Sequence, residues 1–180
     1  MVWGMEELLG EVIIRTAEVP DAAEIARVHV ASMREAYAGL VSADFLASLE
    51  SAARATRWAE HLSNGPRDNV RTWVAWGEHR VLGFASLGPS RDEDAAPDEQ
   101  EIYAIYLDPG MWGKGVARDL LRAMLAECKP PVPVSLWVLA DNARARHFYR
   151  RHGFWPDGTE RLQDLGDQQI LEVRCRRRAT

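Results

Sequence analysis

Residues 112–118 read WGKGVAR, directly after the β-rich run EIYAIYLDP (101–109) and directly before a helical pattern. A strand, a glycine-rich turn and a helix N-terminus make an anion site from backbone alone. Glycine permits positive φ and close backbone approach. The first N–H groups of a helix lack internal partners, and the helix dipole favours negative charge beside them. A diphosphate could rest on the amides of Gly113 to Ala117, with Lys114 and Arg118 adding charge at the rim. The same glycines also suit a simple tight turn, and the stretch by itself leaves both readings open. It is not a P-loop, because no Gly-Lys-Ser/Thr occurs. As a dinucleotide fingerprint it lacks the third glycine and a leading βαβ unit with a ribose-binding acid.

A second segment narrows the choice. LWVLADNARARHFYRRHGF (136–154) reads as a strand, then Asn142 as a natural helix N-cap, then a short helix carrying Phe148-Tyr149, then Gly153 as its stop. Together with EIYAIYLDP and LDPGMWGKGVARDLL, this segment resembles the GNAT superfamily of acetyl-CoA-dependent N-acetyltransferases. The three blocks cover about 50 residues in the family's order. The resemblance implies direct transfer of the acetyl group of acetyl-CoA to a primary amine of a small molecule or peptide. That reaction needs a deprotonated amine, a stabilised thioester oxygen and a proton for the departing thiolate.

The resemblance also implies roles for individual residues. Glu101 opens the central strand where relatives carry a catalytic glutamate, and partial burial would raise its basicity. Its plainer reading is the exposed end of an acidic loop. Alternation puts Glu101, Tyr103 and Ile105 on one strand face until a bulge intervenes. Tyr149 is the expected proton donor to the thiolate, or otherwise an amphipathic core aromatic beside Phe148. Asn142 would both cap its helix and bond the cofactor. The backbone of Ile105, Tyr106 and Leu107 would pair with the pantetheine arm as an added strand. Trp112, Gly113, Lys114, Gly115, Val116, Ala117 and Arg118 would hold the pyrophosphate. Trp112 departs from the family, which usually has Gln or Arg there, so phosphate contacts are expected from backbone amides. Competing readings are a non-catalytic acyl-CoA-binding module, a nucleotide-binding domain and an acetyltransferase of protein N-termini or lysines.

Several elements must position these residues. EVIIRTA (11–17) reads as a first strand. Asp21 and Glu24 suggest a capping box ahead of a helix that Gly39 closes. Ser42 caps a second helix carrying Phe45, Leu46, Leu49, Trp58 and Leu62, which Asn64-Gly65-Pro66 breaks. VRTWVAWG and RVLGFASLG flank Gly77-Glu78-His79 as a hairpin. RDEDAAPDEQ is an acidic loop, either solvated or attracting a cationic amine. Gly113 to Lys129 is a helix ended by Pro130, Pro131 and Pro133. Two last strands run over about 154–162 and 168–175. The expected fold is mixed α/β (α+β), GNAT-type, with about seven strands and about four helices. It fills one domain, 1–180, with short disordered ends at about 1–9 and 176–180.

The 180 residues carry a net charge of −5, which suggests no general nucleic-acid binder. The basic end, Arg174 with Arg176, Arg177 and Arg178, reads as a solvated tail. Cys128 and Cys175 read as small hydrophobes. His29, His61, His79, His147 and His152 lack ligand spacing and read as surface or capping residues, so no metal is expected. Tyr37, Phe45, Trp73, Trp76, Tyr103 and Trp155 could line an aromatic acceptor pocket, though each also suits a core. The start, MVWGMEELLG, has no secretory pattern, and no stretch reaches the length of a membrane span. The expectation is a cytoplasmic protein that starts at Met1 or Met5, with a homodimer left open.

Overall fold

The computed structural model describes residues 11–65, 67–128 and 131–177. Seven strands, β1 (Ile13–Thr16), β2 (Arg71–Gly77), β3 (Arg80–Pro89), β4 (Gln100–Leu107), β5 (Val134–Leu139), β6 (Trp155–Leu165) and β7 (Gln168–Arg177), form one sheet. Its order is β1-β2-β3-β4-β5-β7-β6. Neighbours are antiparallel except β4 and β5, which are parallel. The helices are α1 (Ala22–Ala36), α2 (Ala43–Ser48), α3 (Ser51–Asn64), α4 (Val116–Ala126) and α5 (Ala143–Arg151).

The two sheet faces bury different helices. Leu120, Leu121 and Met124 of α4 lock into a cluster with Leu82, Ile102, Leu136 and Phe154. Ile25 and Val28 of α1 pack with Val74, Val81 and Phe84 on the other face. Each such side chain contributes about 1.5–3 kcal/mol when fully buried. The hairpin predicted at Gly77-Glu78-His79 forms with Glu78 and His79 at φ 52° and 60°, so the turn has the primed-type geometry that matches strand twist.

Two features of the sheet create the site. β4 and β5 pair only over Gln100–Ile102 and Val134–Leu136, so beyond Ile102 the edge of β4 facing β5 is unpaired. In addition, the β3–β4 register shifts between Ser86 and Leu87, leaving Tyr103 as an extra residue. Ile102, Ile105 and Leu107 therefore share the α4 face, while Ala104 and Tyr106 face α1 and α3. Glu101, next to Ile102, takes that second face. The bulge parts Ile105 from Glu101, while Tyr103 stays beside Glu101, both meeting the Arg91 guanidinium.

The single helix read from Ser42 to Leu62 is two. Leu49 leaves the helical region at ψ 116° and buries its side chain against Val30, Met33 and Leu46. Arg34 of α1 makes the break stable. Its guanidinium donates to the freed carbonyls of Leu46 at 3.1 Å and Leu49 at 2.7 Å. The capping box at Asp21 is also displaced. The Asp21 carboxylate accepts from the Glu18 N–H at 2.8 Å and from Arg15, while Glu24 pairs with Arg27.

The basic end is not a solvated tail. Arg174 is 3% exposed, and its guanidinium bonds Asp92, Asp94 and Asp157. Arg176 bonds Glu99, and Arg176 and Arg177 belong to β7 rather than to a disordered end. The acidic loop is consequently neutralised by the final strand, which removes most of its pull on a cationic amine. The remaining expected disordered ends, Arg178, Met5, Pro66, Lys129 and Pro130 lie outside the described residues. Burial raises the thiol pKa of both cysteines, in keeping with packing roles. His29 is neither a surface nor a capping residue: its ring packs on Phe84 and Tyr106.

This ionic cluster predicts acid sensitivity. The hydrogen bond from Arg174 holds Asp94 down at about 2. Burial alone would raise Asp157, but the Thr159 N–H and Arg174 outweigh it and lower it. Carboxylates with depressed folded pKa values add stability that is full above their unfolded value, about 4, and lost as pH falls through the folded value. Urea midpoints should be flat near neutrality and fall between about pH 4 and about pH 2. Replacing Arg174 with methionine should lessen that slope, Asp21 and Asp108 keeping their own lowered values; an unchanged slope would mean that the cluster contributes nothing.

Candidate active site

The unpaired half of β4 borders a cavity of about 700 Å³, within the usual range for small-molecule sites. It runs along the strand from Glu101 to Leu107, a span of roughly 20 Å at strand rise. The residues singled out in the sequence converge on it. Glu101, Ile105, Tyr106, Leu107, Trp112, Gly113, Gly115, Ala117, Arg118, Asn142, Phe148 and Tyr149 all line it. Lys114 and Val116 do not. Val116 turns its side chain into the core at 4% exposure, leaving only its N–H at the helix mouth.

Both glycines of the turn are required conformationally. Gly113 and Gly115 have φ of 76° and 87°, where a side chain is strained. A Cβ on Gly113 would meet nothing within 4 Å, so that glycine faces open space. Gly115 is the N-cap of α4. The tight-turn and anion-site readings therefore describe the same geometry. Arg118 at the rim pairs with Asp119 at 2.9 Å.

Asn142 caps α5, accepting from the Ala145 N–H at 3.1 Å. Two residues on, Arg144 lays its guanidinium over the Trp112 ring, 3.3 Å from the centroid. Sequence reading missed this residue, although it stands inside the quoted motif two places after the cap. Burial lowers its pKa, partly offset by Glu35. α5 thus sets a guanidinium at the turn, with Trp112 as its platform.

Tyr149 sits between Phe148 and Phe154, in edge contacts with both rings. Burial raises its pKa, which keeps the phenol protonated at neutral pH. Glu101 is 1% exposed, so it is no exposed loop end. Its two oxygens accept from the Arg91 N–H at 3.0 Å and from the Arg91 guanidinium at 2.5 Å. Arg91 in turn stacks on Tyr103, whose hydroxyl bonds the Pro89 carbonyl. A second charged pair, Arg161 with Glu172 at 2.7 Å, lines the same cavity, and Arg161 stacks on Trp137. The Tyr37 and Tyr106 hydroxyls meet at 3.0 Å. Of the six aromatics expected to form an acceptor pocket, Tyr37 and Tyr103 line the cavity. Trp73 joins the core, Phe45 and Trp76 pack against buried clusters, and Trp155 is exposed.

A strand edge left open, a glycine turn at its end and a capped helix with a half-buried tyrosine beside both match a known pattern. Residues 31–154 match the model of the acetyltransferase (GNAT) family. The chain belongs to that family. It is 37% identical to the uncharacterized N-acetyltransferase YuaI of Bacillus subtilis over 61% of this chain and 60% of that protein. It is 26% identical to the L-amino acid N-acetyltransferase AaaT of Escherichia coli, over 92% of this chain and 96% of the relative. The fold matches the PaiA N-acetyltransferase of Thermoplasma acidophilum, crystallised in complex with coenzyme A. That match has a TM-score of 0.70 at 18% identity and covers 93% of this chain and 99% of the other. Among the described residues no helix is long and apolar enough to cross a membrane. No cluster of three His, Cys, Asp or Glu side chains among them could hold a metal.

Proposed function

We propose that this GNAT domain moves the acetyl group of acetyl-CoA directly to a primary amine of a small molecule or peptide. The observation that carries the reading is the unpaired half of β4 opening onto a cavity that also borders the glycine turn, Asn142 and Tyr149. An amide-rich arm can add to that edge as a strand would. Its phosphates would meet the amides at the mouth of α4 and the Arg144 guanidinium. An N–H of the β4 segment would stabilise the acetyl oxygen as it becomes negative.

In this reading the amine nitrogen bonds the carbonyl carbon and the carbon–sulfur bond breaks. Tyr149 gives its proton to the sulfur. Both Glu101 oxygens are engaged by Arg91, so the amine proton reaches Glu101 through a water that displaces one of those bonds. The acceptor end carries two Arg–Glu pairs, which suits an amine with further charge beside it.

Calorimetric titration with acetyl-CoA, with NAD as control, tests the binding half. A Kd near micromolar, about −8 kcal/mol, is expected, followed by thiol release with members of a panel of amino acids, polyamines and peptides. No binding, or preference for NAD, would overturn the reading. Binding without thiol release for any amine would leave an acyl-CoA-binding module.

A further inference from the structure

On the α1–α3 side of the sheet a second, shallower depression of about 270 Å³ is lined by His29, Arg54, Arg57, Trp58 and His61. Residues 54, 57, 58 and 61 recur at helical spacing, so α3 presents them on one face. Elsewhere the fold gives several guanidiniums partners. Arg27 bonds Asp108, Arg161 bonds Glu172, and Arg34 bonds two carbonyls. Arg54 and Arg57 have no carboxylate within salt-bridge distance among the described residues.

The imidazoles add to this imbalance. His61 Nε2 is buried and has no hydrogen-bond partner. Trp58 Nε1 donates to His29 Nδ1 at 3.3 Å, which puts the neutral ring's proton on Nε2. The rings are fixed by packing: Trp58 meets His61 and Phe84 edge-on. Burial lowers the pKa of Arg54, and Arg57 lowers it further while the Tyr106 phenol opposes. Asp68 exerts the opposing pull on His61.

A partly desolvated cation beside a second cation and a buried unsatisfied nitrogen is unfavourable unless an anion completes it. We infer that this depression binds an oxyanion, a phosphate or carboxylate group, held by Arg54 and Arg57, with the His61 ring, whose buried Nε2 lacks a partner, turning toward it. Arginine's planar fork suits both anions. The anion has two possible sources. The His29 ring lies 4.6 Å from that of Tyr106, and Tyr106 lines the main cavity. The group could thus belong to an acetyl acceptor reaching past Tyr106, or to a separate ligand.

The test is a titration with inorganic phosphate in the presence of saturating coenzyme A, so that the glycine turn is occupied. The imidazole NMR signals of His29 and His61 are the readout. Phosphate should shift both, and R54Q/R57Q should weaken its binding at least tenfold. Unmoved signals, or equal affinity in the variant, would overturn the site. R57Q alone, at an exposed position, keeps the test open if the double variant does not fold, and should weaken phosphate severalfold. Acceptor kinetics separate the sources. A tenfold higher KM confined to acceptors bearing carboxylate or phosphate would assign the anion to the acceptor. Unchanged KM with lost phosphate binding would assign a separate ligand. Failure to bind coenzyme A would count against the proposed acetyl transfer and not against this site.

Discussion

Tyr149→Phe is expected to lower kcat by roughly 100- to 10,000-fold, the usual contribution of a positioned proton donor, while leaving acetyl-CoA affinity unchanged. The substitution removes one oxygen and keeps the ring, whose edge contacts with Phe148 and Phe154 hold α5 against the core. Folding should therefore be preserved. Burial raises the phenol's pKa, so the hydroxyl holds its proton across the neutral range and can donate it along a hydrogen bond to the sulfur as negative charge develops there, the phenol being restored from solvent. Stopped-flow thiol release measures the rate, and calorimetry measures the affinity. Loss of rate with intact binding would place the hydroxyl at the sulfur. An unchanged rate would remove Tyr149 from the proton path, and the thiolate would then take its proton from solvent.

What the sequence disclosed was local. Gly113, Gly115, Asn142 and Gly153 declare themselves because turns and caps demand particular residues at fixed offsets. The succession of strands and helices along the chain followed from the spacing of apolar runs. The misreadings involve partners distant in the chain. Arg174 bonds Asp92 across 82 residues, and neither the acidic loop nor the basic end shows from composition that it neutralises the other. The break between α2 and α3 depends on Arg34 reaching carbonyls 12 and 15 residues away. The guanidinium stacked on Trp112 escaped notice because Arg144 reaches it from another element. Alternation allows for a bulge in β4 but does not place it at Tyr103, and its place decides that Ile105 and Glu101 lie on opposite faces. Periodicity locates elements; a one-residue insertion sets which face carries the chemistry.

Gly115→Glu is expected to abolish acetyl-CoA binding, a loss from near micromolar to beyond millimolar Kd, or about 4 kcal/mol or more. Two costs must be separated. Any side chain at φ 87° strains the turn by about 1–2 kcal/mol, and its Cβ would lie 3.1 Å from the Arg118 guanidinium, which can swing aside. Gly115→Ala bears those costs alone. It should fold with Tm lowered by roughly 2–8 °C and bind acetyl-CoA somewhat more weakly. Glutamate adds a carboxylate at the mouth of α4, where the N–H groups and the dipole already favour negative charge. The side chain can thus occupy the phosphate position and repel the phosphates as well. That same attraction should make the glutamate variant no less stable than the alanine variant, so lost binding cannot be ascribed to lost folding. Thermal melts of both variants beside calorimetry test the two halves together. A folded glutamate variant that binds acetyl-CoA as the wild type does would move the phosphates away from this turn and leave its glycines with a purely conformational role.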